Sequence, residues 1–480
     1  MIKNLLNMSA KGGSAAGGKK IHFIGIKGVG MAALAVYAKE AGFEVTGSDN
    51  EKVFLTDKIL KKNGIEVKKF DVANLKARPD LVVISAAYSK DNIEAKEARK
   101  KHLEIKPYSE ALAYFSHDHQ VIAVSGIHGK STTTAMLAWL LARADLDPSF
   151  IVGAAEIKNL ATNAHFGQGD YFILEADEYR KSPEDSTPKF FDLTPKIEII
   201  SSIEMDHPDV FSSEESIYNA FYKFACRVPR NGFIVLCLDY PKAKKLQRSL
   251  VDRNFETYGF SESAQWKIID YKETVQETEF FLLHDEQKIG PIKLKVPGVA
   301  NVLNAAAAAV TSLKIGLSER MIKRNLSNFT GVKRRFETIG QIDNLTIIDD
   351  YAHHPRSIRM TLEAVRVKFP EAKIWCIFQP HTYSRTKSLL SEFATSFKSA
   401  DKIIVTDIFS SEREKEGPIS SQDLTSAIRQ NHRSVRYVPS WSKIKQDIID
   451  NLNGPIVLIT CGAGDIYKLG EEIYQDLKNG

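Results

Sequence analysis

The sequence predicts an α/β protein of three domains, each built around a mainly parallel β-sheet. Its length of 480 residues is too great for one ordinary hydrophobic core and suits about three domains of roughly 150 residues. Apolar runs of strand length alternate with helical patterns along most of the chain, as in parallel sheets covered by helices. Two glycine-rich turns each connect a strand to a helix, which is typical of doubly wound sheets that bind nucleotides.

The first domain is predicted over residues 21–120, after a tail. Residues 1–20 are rich in Gly, Ala, Ser and Lys with little to bury, so we expect a flexible tail there. The segments IHFIGI, GVGMAALAVYAKEAG and EVTGSD then follow as strand, helix and strand, and the alternation continues through LVVISAA. We therefore predict a parallel, Rossmann-like sheet for this part of the chain.

The second domain is predicted over residues 121–330 and the third over 331–480. The second begins with the strand VIAVSG and the helix STTTAMLAWLLARA, and residues 233–296 contain period-2 segments such as FFLLHDEQKIGPIKLKV. Period-2 patterns indicate antiparallel strands added to the parallel sheet. In the third domain the strands LTIIDDY, KIWCIF, KIIVTD and IVLIT alternate with helices. This predicts a second doubly wound, Rossmann-like domain at the C-terminus.

Composition argues against several classes of protein. The net charge of +5 is small for this length, so we expect no nucleic-acid groove. The four cysteines form no CxxC pair, which argues against a disulfide framework or a zinc site. No apolar run approaches the ~18 residues of a membrane span. We therefore expect a cytoplasmic enzyme with small-molecule substrates and no membrane partner, either monomeric or homodimeric.

The strongest motif is VIAVSGIHGKSTTTAM, residues 121–136, in which Gly126 ends a buried strand and Gly129, Lys130 and Ser131 open a helix. Glycines let backbone N–H groups approach phosphate oxygens, and a helix N-terminus carries partial positive charge. Lys130 can reach the β and γ phosphates, and the Ser131 hydroxyl can ligate magnesium. The motif therefore predicts an ATP site in which Lys130 is catalytic.

A second glycine-rich turn, GIKGVGM, follows the first predicted strand. Its glycines, Gly25, Gly28 and Gly30, stand in the order GxxGxG, so the match to the GxGxxG dinucleotide fingerprint is imperfect. Close packing of strand and helix explains these glycines equally well. With Asp49 at the end of the next strand, the turn nevertheless marks a second place where a diphosphate could bind. A triphosphate loop beside it suggests a nucleotide-sugar substrate together with ATP.

Acidic residues and a histidine follow other strands of the second domain. Glu175, Asp177 and Glu178 form an acidic cluster at the end of the strand YFILE, and His207 follows IEIISSI in the segment IEMDHPD. Ligands collect beyond the carboxyl ends of parallel strands, so Glu175 and His207 could both face the phosphates held at Lys130. A hydroxyl, a carboxylate and an imidazole around ATP suggest divalent ions that bridge phosphate and substrate oxygens. We therefore expect Mg²⁺ to be held by Ser131, Glu175 and His207.

Two further segments lie at or near the predicted junction of the second and third domains. Arg334 and Arg335 occur together in GVKRRFE, and an arginine in a crevice between domains can clamp a transferring phosphoryl group. The stretch IIDDYAHHP contains Asp350, His353 and His354. Adjacent residues on an extended segment point to opposite sides, so a metal shared by the two histidines is disfavoured. Hydrogen bonds to a ribose or a substrate are the favoured role.

The ordered set GIKGVGM, GIHGKSTTT, EADEY, EMDH, NVLNA, GVKRRFE and DDYAHHP resembles the Mur ligase family over essentially all of residues 21–480. The resemblance implies a UDP-binding N-terminal domain, a central P-loop ATPase domain and a C-terminal domain that brings the incoming amino acid. It implies that ATP phosphorylates the carboxylate of UDP-N-acetylmuramate and that an amine then attacks the acyl phosphate. Within the family, FQPHTYSRT (residues 378–386) indicates L-alanine as the acceptor.

The resemblance, together with the motifs, assigns residues to four groups. The catalytic residues are Lys130, His207 and Arg335. The ATP-binding residues are Gly126, His128, Gly129, Lys130, Ser131, Thr132, Asn301, Asn304, Arg334 and Asp350. The UDP-sugar-binding residues are Gly25, Gly28, Val29, Gly30, Asp49, Ser85, Ala86, Asn92, Asn163 and Ala164. The amino-acid-binding residues are His354, His381, Tyr383 and Arg385.

The sequence departs from the family pattern at several positions and leaves alternatives open. Ile127 stands where Thr is usual, Arg180 where Asp is usual, Ser202 where Asn is usual and Ala300 where His is usual. In its length and in the sequence DHPDVF, the segment 179–211 resembles the family member that adds a murein tripeptide to UDP-N-acetylmuramate. Tripeptide addition is therefore the alternative to L-alanine addition. A nucleotide-binding homologue without ligase activity, or a dehydrogenase using the GIKGVGM turn, is a weaker alternative.

Overall fold

The computed structural model describes residues 18–88, 90–410, 414 and 416–479. These residues form three sheets, of five, ten and six strands, each with helices packed against it. The predicted α/β architecture is confirmed. Apart from residues 18–20, the predicted tail lies outside the described residues, and Lys20 already belongs to the first strand. The strand therefore begins one residue before the predicted start of the fold.

The first unit is a five-stranded sheet with strand order β3-β2-β1-β4-β5, and all of its pairs are parallel. Strands β2 and β3 are added on one side of β1, and β4 and β5 on the other side. This change of side leaves a crevice at the carboxyl ends of the central strands. Its elements are β1 (Lys20–Ile24), α1 (Val29–Glu40), β2 (Glu44–Ser48), α2 (Thr56–Lys62), β3 (Val67–Lys68), β4 (Leu81–Ile84), α3 (Ile93–Lys100), β5 (Ile105–Pro107) and α4 (Tyr108–Ser116).

The central unit is a ten-stranded sheet with order β15-β14-β13-β12-β11-β10-β6-β9-β7-β8. β6 lies between β9 and β10 and is parallel to both, so the carboxyl ends of these three strands share one edge. Its elements are β6 (Gln120–Ser125), α5 (Lys130–Ala142), β7 (Ser149–Ile151), β8 (Ala164–His165), β9 (Tyr171–Glu175), β10 (Ile197–Ile200), α6 (Glu214–Ala225), β11 (Phe233–Cys237), α7 (Pro241–Ser249), β12 (Phe255–Gly259), β13 (Trp266–Glu273), β14 (Thr278–His284), β15 (Gln287–Leu294), α8 (Val299–Lys314) and α9 (Glu319–Leu326).

The predicted antiparallel addition is present but shorter than residues 233–296. β11 and β12 are still parallel to their neighbours, and antiparallel pairing begins between β13 and β14. Asp285 and Glu286 join β14 to β15, and both have positive φ (45° and 63°). A two-residue hairpin turn with this backbone matches the right-handed twist of the strands it connects.

The third unit is a six-stranded sheet with order β16-β17-β21-β18-β19-β20, parallel except for β16 at its edge. This antiparallel edge strand follows directly in the chain after the residues that connect the central unit to the third. Its elements are β16 (Glu337–Ile342), β17 (Leu345–Asp350), α10 (Pro355–Lys368), β18 (Lys373–Phe378), α11 (Tyr383–Ser388), α12 (Leu390–Phe393), β19 (Lys402–Val405), α13 (Ser421–Arg429), β20 (Val435–Tyr437), α14 (Trp441–Ile449), β21 (Ile456–Cys461) and α15 (Tyr467–Asn479).

The apolar core is shared between the first and central units but not with the third. One cluster of buried side chains runs from β1 and α1 through the central sheet to Val332. Tyr37 of α1 stacks on Phe172 of β9 with ring centroids 5.0 Å apart, so the two units pack closely. The third unit has separate clusters on the two faces of its sheet. Among the described residues, no helix has the length and apolar character that crossing a membrane requires.

Candidate active site

A cleft of about 970 Å³ lies where the three units meet, and residues from all three line it. Most of the residues predicted from sequence reach this cleft, although they come from strands far apart in the chain. The predicted residues that line it are Gly25, Gly28, Val29, Gly30, Asp49, Ser85, Ala86, His128, Gly129, Lys130, Ser131, Glu175, His207, Arg335, His354, His381 and Arg385.

The phosphate loop, Gly126–Gly129, connects β6 to the first residue of α5. Gly129 has φ +81°, a left-handed conformation that glycine adopts without strain. A side chain at this position would also meet the Asn304 carboxamide. Asn304 in turn accepts a hydrogen bond from Thr133 (3.2 Å) and donates to Asn301 (3.4 Å). Asn301 and Asn304 therefore support the loop from behind, on α8, and are not among the residues that line the cleft.

Lys130 is held in place by Glu178. Its Nζ donates to Glu178 Oε2 (2.8 Å) and Oε1 (3.1 Å) and to the Gly126 carbonyl (2.6 Å). Burial opposes charge on Lys130, but the Glu178 and Asp177 carboxylates outweigh it and raise the lysine pKa. Glu178 is 1% exposed; burial favours its neutral form, but the Lys130 charge and His207 keep its pKa below the ordinary value. Both groups are therefore charged, and Lys130 is positioned at the start of α5.

His207 lies against carboxylates of the same unit. Its Nε2 is 3.3 Å from Glu178 Oε1 and 3.8 Å from Asp206 Oδ2. Burial lowers its pKa, but Asp206 and Glu178 outweigh this effect and the pKa is raised. The backbone of His207 has φ +54°, which is uncommon for a residue other than glycine and marks a constrained position.

Glu175 and Ser131 form the part of the predicted metal site that is in place. Glu175 accepts a hydrogen bond from the backbone N–H of Gly153 (2.5 Å) and another from the Ser131 side chain. Burial raises the pKa of Glu175, while Gly153, Lys130 and Ser131 counteract it. A hydroxyl and a carboxylate oxygen are suitable ligands for Mg²⁺, so this pair fits the ion.

The third expected ligand, His207, is engaged by Glu178 instead. In the part of the chain that the structure describes, no cluster of three or more His, Cys, Asp or Glu side chains is arranged to hold a metal. Ser131 and Glu175 are in contact with each other, and a contact of His207 with the ion stays a prediction.

Arg334 and Arg335 point in different directions. Arg335 reaches the cleft, where its NH2 lies 3.4 Å from Ser131 Oγ and its guanidinium lies 4.6 Å from the centre of the Tyr351 ring. Arg334 is buried: it pairs with Asp349 (3.0 Å) and donates to two backbone carbonyls near the end of β21 (3.0 and 2.7 Å). Arg335 therefore sits where the sequence predicted it. Arg334 does not line the cleft, and its guanidinium is used within the third unit.

The junction that carries these arginines is attached to the central unit by its backbone. Lys333 N–H donates to the Glu156 carbonyl (3.0 Å), and Lys158 N–H donates to the Gly331 carbonyl (3.1 Å). Three consecutive residues thus contact three places: Lys333 the central unit, Arg334 the third unit and Arg335 the cleft.

The wall formed by the first unit is organised around the GIKGVGM turn. Asp49 accepts hydrogen bonds from the backbone N–H of Lys27 (2.7 Å) and from the Tyr88 hydroxyl (2.6 Å). Gly25 has φ +80°, and a Cβ there would lie 2.6 Å from the Tyr88 ring. Asp49 and Tyr88 therefore clamp the turn, and Gly25 is required both by its backbone and by the close approach of the ring.

Three residues predicted to bind the UDP-sugar are not among those that line the cleft. Asn92 caps α3, where its side chain accepts hydrogen bonds from the N–H groups of Glu94 (2.9 Å) and Ala95 (3.2 Å). Asn163 is fully buried and donates to the Ala154 carbonyl (2.9 Å), and Ala164 lies in β8. The Asn92 carboxamide oxygen and the Asn163 amide nitrogen are therefore engaged in local structure.

The wall formed by the third unit carries residues His381–Arg385, called the acceptor loop because the sequence predicts that it binds the incoming amino acid. Arg385 is 4% exposed, and its Nε donates to Asp206 of the central unit (2.8 Å). Its NH1 also lies 3.2 Å from His381 Nδ1. Burial raises the pKa of Asp206, but Arg385 and His207 outweigh this and hold it well below its usual range. Tyr383 is not among the residues that line the cleft, and its backbone N–H donates to Glu414.

A second contact joins the phosphate loop to the third unit. His128 lies 3.1 Å from Glu204 Oε2 and 3.2 Å from Ser357 Oγ, and Arg356 donates to Glu204 Oε1 (3.1 Å). His354 caps α10, and its ring centre is 4.7 Å from that of His128. Burial and the nearby His128 lower the pKa of His354 to about 4, so His354 is neutral at pH 7 and suited to hydrogen bonding.

The remaining predicted ATP residues are used in local structure. Asp350 accepts hydrogen bonds from the N–H groups of Phe336 (2.9 Å) and Ala352 (2.7 Å), and burial raises its pKa. Gly126 and Thr132 are likewise absent from the residues that line the cleft. The contact of Asp350 with a ribose therefore stays a prediction.

Several residues of the site were not singled out from the sequence. Asp206 and Tyr351 stand beside predicted residues in EMDH and DDYAHHP, so their adjacency was the available signal. Tyr88 and Ser357 offered none, because Tyr88 meets Asp49 from a separate segment of its unit and Ser357 meets His128 from another unit. The residues missed are Tyr88, Glu204, Asp206, Tyr351, Arg356 and Ser357.

Models of three protein domains match the chain in the order of its units. They are the Mur ligase family catalytic domain over residues 20–120, the Mur ligase middle domain over 124–312 and the Mur ligase glutamate ligase domain over 334–464. The chain belongs to the Mur ligase family. The family resemblance seen in the sequence motifs is thereby confirmed, and the Mur ligases are ATP-dependent ligases.

Individual Mur ligases resemble the whole chain. UDP-N-acetylmuramate–L-alanine ligase of Desulfitobacterium hafniense (strain Y51) is 38% identical over 455 residues, covering 94% of this chain and 99% of that protein. The enzyme of the same name from Acetivibrio thermocellus is 38% identical, with 95% and 96% covered. The structure of UDP-N-acetylmuramate-alanine ligase from Thermotoga maritima matches with a TM-score of 0.79 and 26% identity, covering 96% of this chain and 99% of that one. A murein peptide ligase from Psychrobacter arcticus shares the fold, with a TM-score of 0.72.

Proposed function

We propose that this Mur ligase joins L-alanine to the carboxylate of UDP-N-acetylmuramate, with hydrolysis of ATP to ADP and phosphate, in peptidoglycan synthesis. The observation that carries the proposal is that the phosphate loop, Arg335 and the acceptor loop open onto one cleft. The relatives that are 38% identical over nearly the whole chain bear the name of this activity.

The proposed reaction has two steps. A carboxylate oxygen of the muramyl group attacks the γ-phosphorus of ATP, the bond to the β,γ-bridging oxygen breaks, and ADP leaves. The neutral amine of L-alanine then attacks the acyl carbon, and the tetrahedral intermediate breaks its bond to phosphate and loses one proton from nitrogen to solvent, which leaves the amide. Phosphorylation is needed because a carboxylate is a poor electrophile and oxide a poor leaving group.

Lys130 and Arg335 are the cations placed to neutralise charge during phosphoryl transfer. Both lie beside Ser131 at the start of α5, where the helix N-terminus adds partial positive charge. In the absence of ATP, Glu178 balances the Lys130 charge. Phosphate oxygens would compete with Glu178 for the ammonium group, so Lys130 can contact the nucleotide with little rearrangement.

Ser131 and Glu175 are the side chains that would hold Mg²⁺, since their oxygens already lie together at the end of β9. The ion would supply positive charge next to the phosphate oxygens. Replacing Glu175 with Gln would keep the shape and the Gly153 contact but remove the negative charge. We expect the Mg²⁺ concentration for half-maximal phosphate release to rise by about tenfold or more, the usual scale for a weakened ligand. An unchanged Mg²⁺ titration would place Glu175 outside the metal site.

The UDP-sugar would occupy the wall made by the GIKGVGM turn. Gly25, Gly28 and Gly30 keep side chains away from the turn, while Ser85 and Ala86 follow β4 on the same side of the cleft. These residues fit a diphosphate held by backbone N–H groups. Asn92 and Asn163 would act indirectly, Asn92 by capping α3 and Asn163 by its hydrogen bond to the Ala154 carbonyl.

The experiment that tests the proposal is a panel of phosphate-release assays with ATP, Mg²⁺ and UDP-N-acetylmuramate. L-Alanine, L-serine, glycine and the murein tripeptide would be offered in turn as acceptors. We expect L-alanine to give the highest kcat/KM. Release that is fastest with the tripeptide would replace the acceptor in the proposal, and release that no acceptor stimulates would overturn the ligase activity itself.

A further inference from the structure

Two adjacent serines after β10 lie directly beneath the phosphate loop. Ser202 Oγ accepts hydrogen bonds from the backbone N–H groups of Ile127 (3.0 Å) and His128 (2.9 Å). Ser201 Oγ donates to the His128 carbonyl and lies 3.0 Å from the Ser125 carbonyl. Both serines are buried, at 7% and 0% exposure. The backbone in the middle of the loop is therefore hydrogen-bonded to side chains of the neighbouring strand.

The loop approaches these serines so closely that its first residue must be glycine. A Cβ on Gly126 would lie 2.8 Å from the backbone nitrogen of Ser202 and would also overlap the Ser201 hydroxyl. The φ of Gly126 is +122°, a conformation open to glycine and strained for other residues. Gly126 is thus needed for contact with β10, which explains why it does not line the cleft.

Ser202 makes more hydrogen bonds to the loop than it needs to satisfy its own buried hydroxyl. A buried serine can satisfy its own hydroxyl by donating to a carbonyl of its own strand. Ser202 instead uses one oxygen to accept from two consecutive amides. Two orphan amides at the centre of this half-buried loop would be costly, so this oxygen selects one loop conformation. It does so at a position where the family usually has Asn.

We propose that Ser202 is a positioning residue for the ATP phosphates. By using the N–H groups of Ile127 and His128, it fixes the path of the loop into Gly129, whose left-handed backbone starts α5. Lys130 and the first N–H groups of α5 are then directed at the cleft. Phosphate binding falls to these groups and not to the amides that Ser202 occupies. The inference rests on the proposed nucleotide site but not on the identity of the acceptor.

The test compares Ser202→Ala with Ser202→Asn, which returns an acceptor oxygen, and with Ser312→Ala as the control. Ser312 is a buried serine of the same unit whose Oγ has no hydrogen-bond partner among the residues that the structure describes. ADP affinity would be measured by isothermal titration calorimetry with Mg²⁺, and KM for ATP and for UDP-N-acetylmuramate by phosphate release. We expect Ser202→Ala to weaken ADP binding and raise KM for ATP by about 10- to 100-fold, the scale of unpaired amides. Ser202→Asn should recover most of this loss, and Ser312→Ala should show none.

Other outcomes would overturn the inference. If Ser202→Ala lowers the melting temperature but leaves ADP affinity and KM for ATP unchanged, Ser202 has only a structural role. Equal increases in KM for both substrates would lead to the same conclusion. If the Ala variant does not fold, Ser202→Cys keeps the volume with a poor acceptor and gives the same readouts. Failure of the unmodified protein to bind ADP would instead overturn the nucleotide site itself.

Discussion

The phosphate loop and the acceptor loop face each other across the cleft, but they are held in different ways. The phosphate loop is fixed within the central sheet: Glu178 holds Lys130, and Ser202 holds the loop backbone. The acceptor loop depends on Arg385, which pairs with Asp206 of another unit. The position of the Arg385 guanidinium therefore depends on the third unit lying against the central one.

This contrast indicates which part of the cleft is preformed. The first and central units share one core, so the nucleotide wall and the UDP-sugar wall are positioned by close packing. The third unit has its own cores and meets the others in the cleft through polar side chains. Polar contacts between units are weaker than a shared core, so the acceptor wall is the part expected to move.

The largest effect should come from the preformed wall. Lys130→Ala removes the cation at the start of α5 and leaves His207 as the remaining partner of the buried Glu178 carboxylate. We expect phosphate release to fall by about 100-fold or more, the scale of one electrostatic contact in a transition state, with the far-UV circular dichroism unchanged.

Lys288→Ala is the matched control, because Lys288 pairs with Asp270 on the hairpin of β13–β15, away from the cleft. This variant should retain its activity. If Lys130→Ala kept more than about a tenth of the activity, against the expected 100-fold loss, the role of Lys130 in phosphoryl transfer would be wrong.

A smaller effect is expected at the movable wall. Arg385→Ala should raise KM for L-alanine by about 10- to 100-fold, the scale of a charge-assisted hydrogen bond, with KM for ATP nearly unchanged. Arg385→Lys should not restore binding, because an ammonium group cannot reproduce the forked guanidinium contact. Steady-state kinetics with each substrate varied in turn provide the measurement.

Asp206→Asn separates direct binding from closure of the units. The variant keeps Arg385 but weakens the ion pair between the central and third units. If Arg385 acts chiefly by closing the cleft, both Asp206→Asn and Arg385→Ala will raise KM for ATP and L-alanine alike. That result would contradict a direct contact of Arg385 with the amino acid.

The smallest effect concerns a carboxyl group beneath the preformed wall. Glu198 of β10 is fully buried and accepts a hydrogen bond from Ser125 (2.8 Å), and burial raises its pKa from 4.5 to about 8. Its contribution to stability is complete below pH 4.5, where the acid is neutral in both states. The contribution is lost as the pH rises towards 8, because the unfolded chain ionises first.

Glu198→Gln should remove this dependence, since the amide stays neutral and can still accept from Ser125. The melting temperature of Glu198→Gln minus that of the unmodified protein should increase by about 2–5 °C from pH 5 to pH 8.5. Differential scanning fluorimetry at both pH values measures this difference. A constant difference would mean that Glu198 ionises in the folded protein as it does in the unfolded chain.

The sequence was most informative where function depends on the backbone. The glycines of the two turns, the strands before them and the acidic end of β9 could all be located, because strand ends and glycine patterns have local signals. The antiparallel hairpin of β14 and β15 was visible from its period-2 pattern. The ends of elements were predicted less well, as Lys20 shows.

The sequence was least informative where a side chain has two possible partners. Nothing local distinguishes Arg334, which turns into the third sheet, from Arg335, which turns into the cleft. The same holds for His207, which faces Glu178, and for Asn92, whose carboxamide caps a helix. These choices depend on contacts between segments far apart in sequence, which a reading of motifs cannot supply.

The junction at Lys333, Arg334 and Arg335 couples the orientation of the third unit to the position of Arg335 in the cleft. The backbone of Lys333 is fixed to the central unit, and the guanidinium of Arg334 is fixed to the third. A rotation of the third unit would therefore change the backbone torsion angles between Lys333 and Arg334 and move the Arg335 guanidinium relative to Ser131. The charge of the transition state would be fully neutralised only when this guanidinium lies beside Ser131. A nucleotide held in an open molecule would thus be protected from futile hydrolysis by geometry alone.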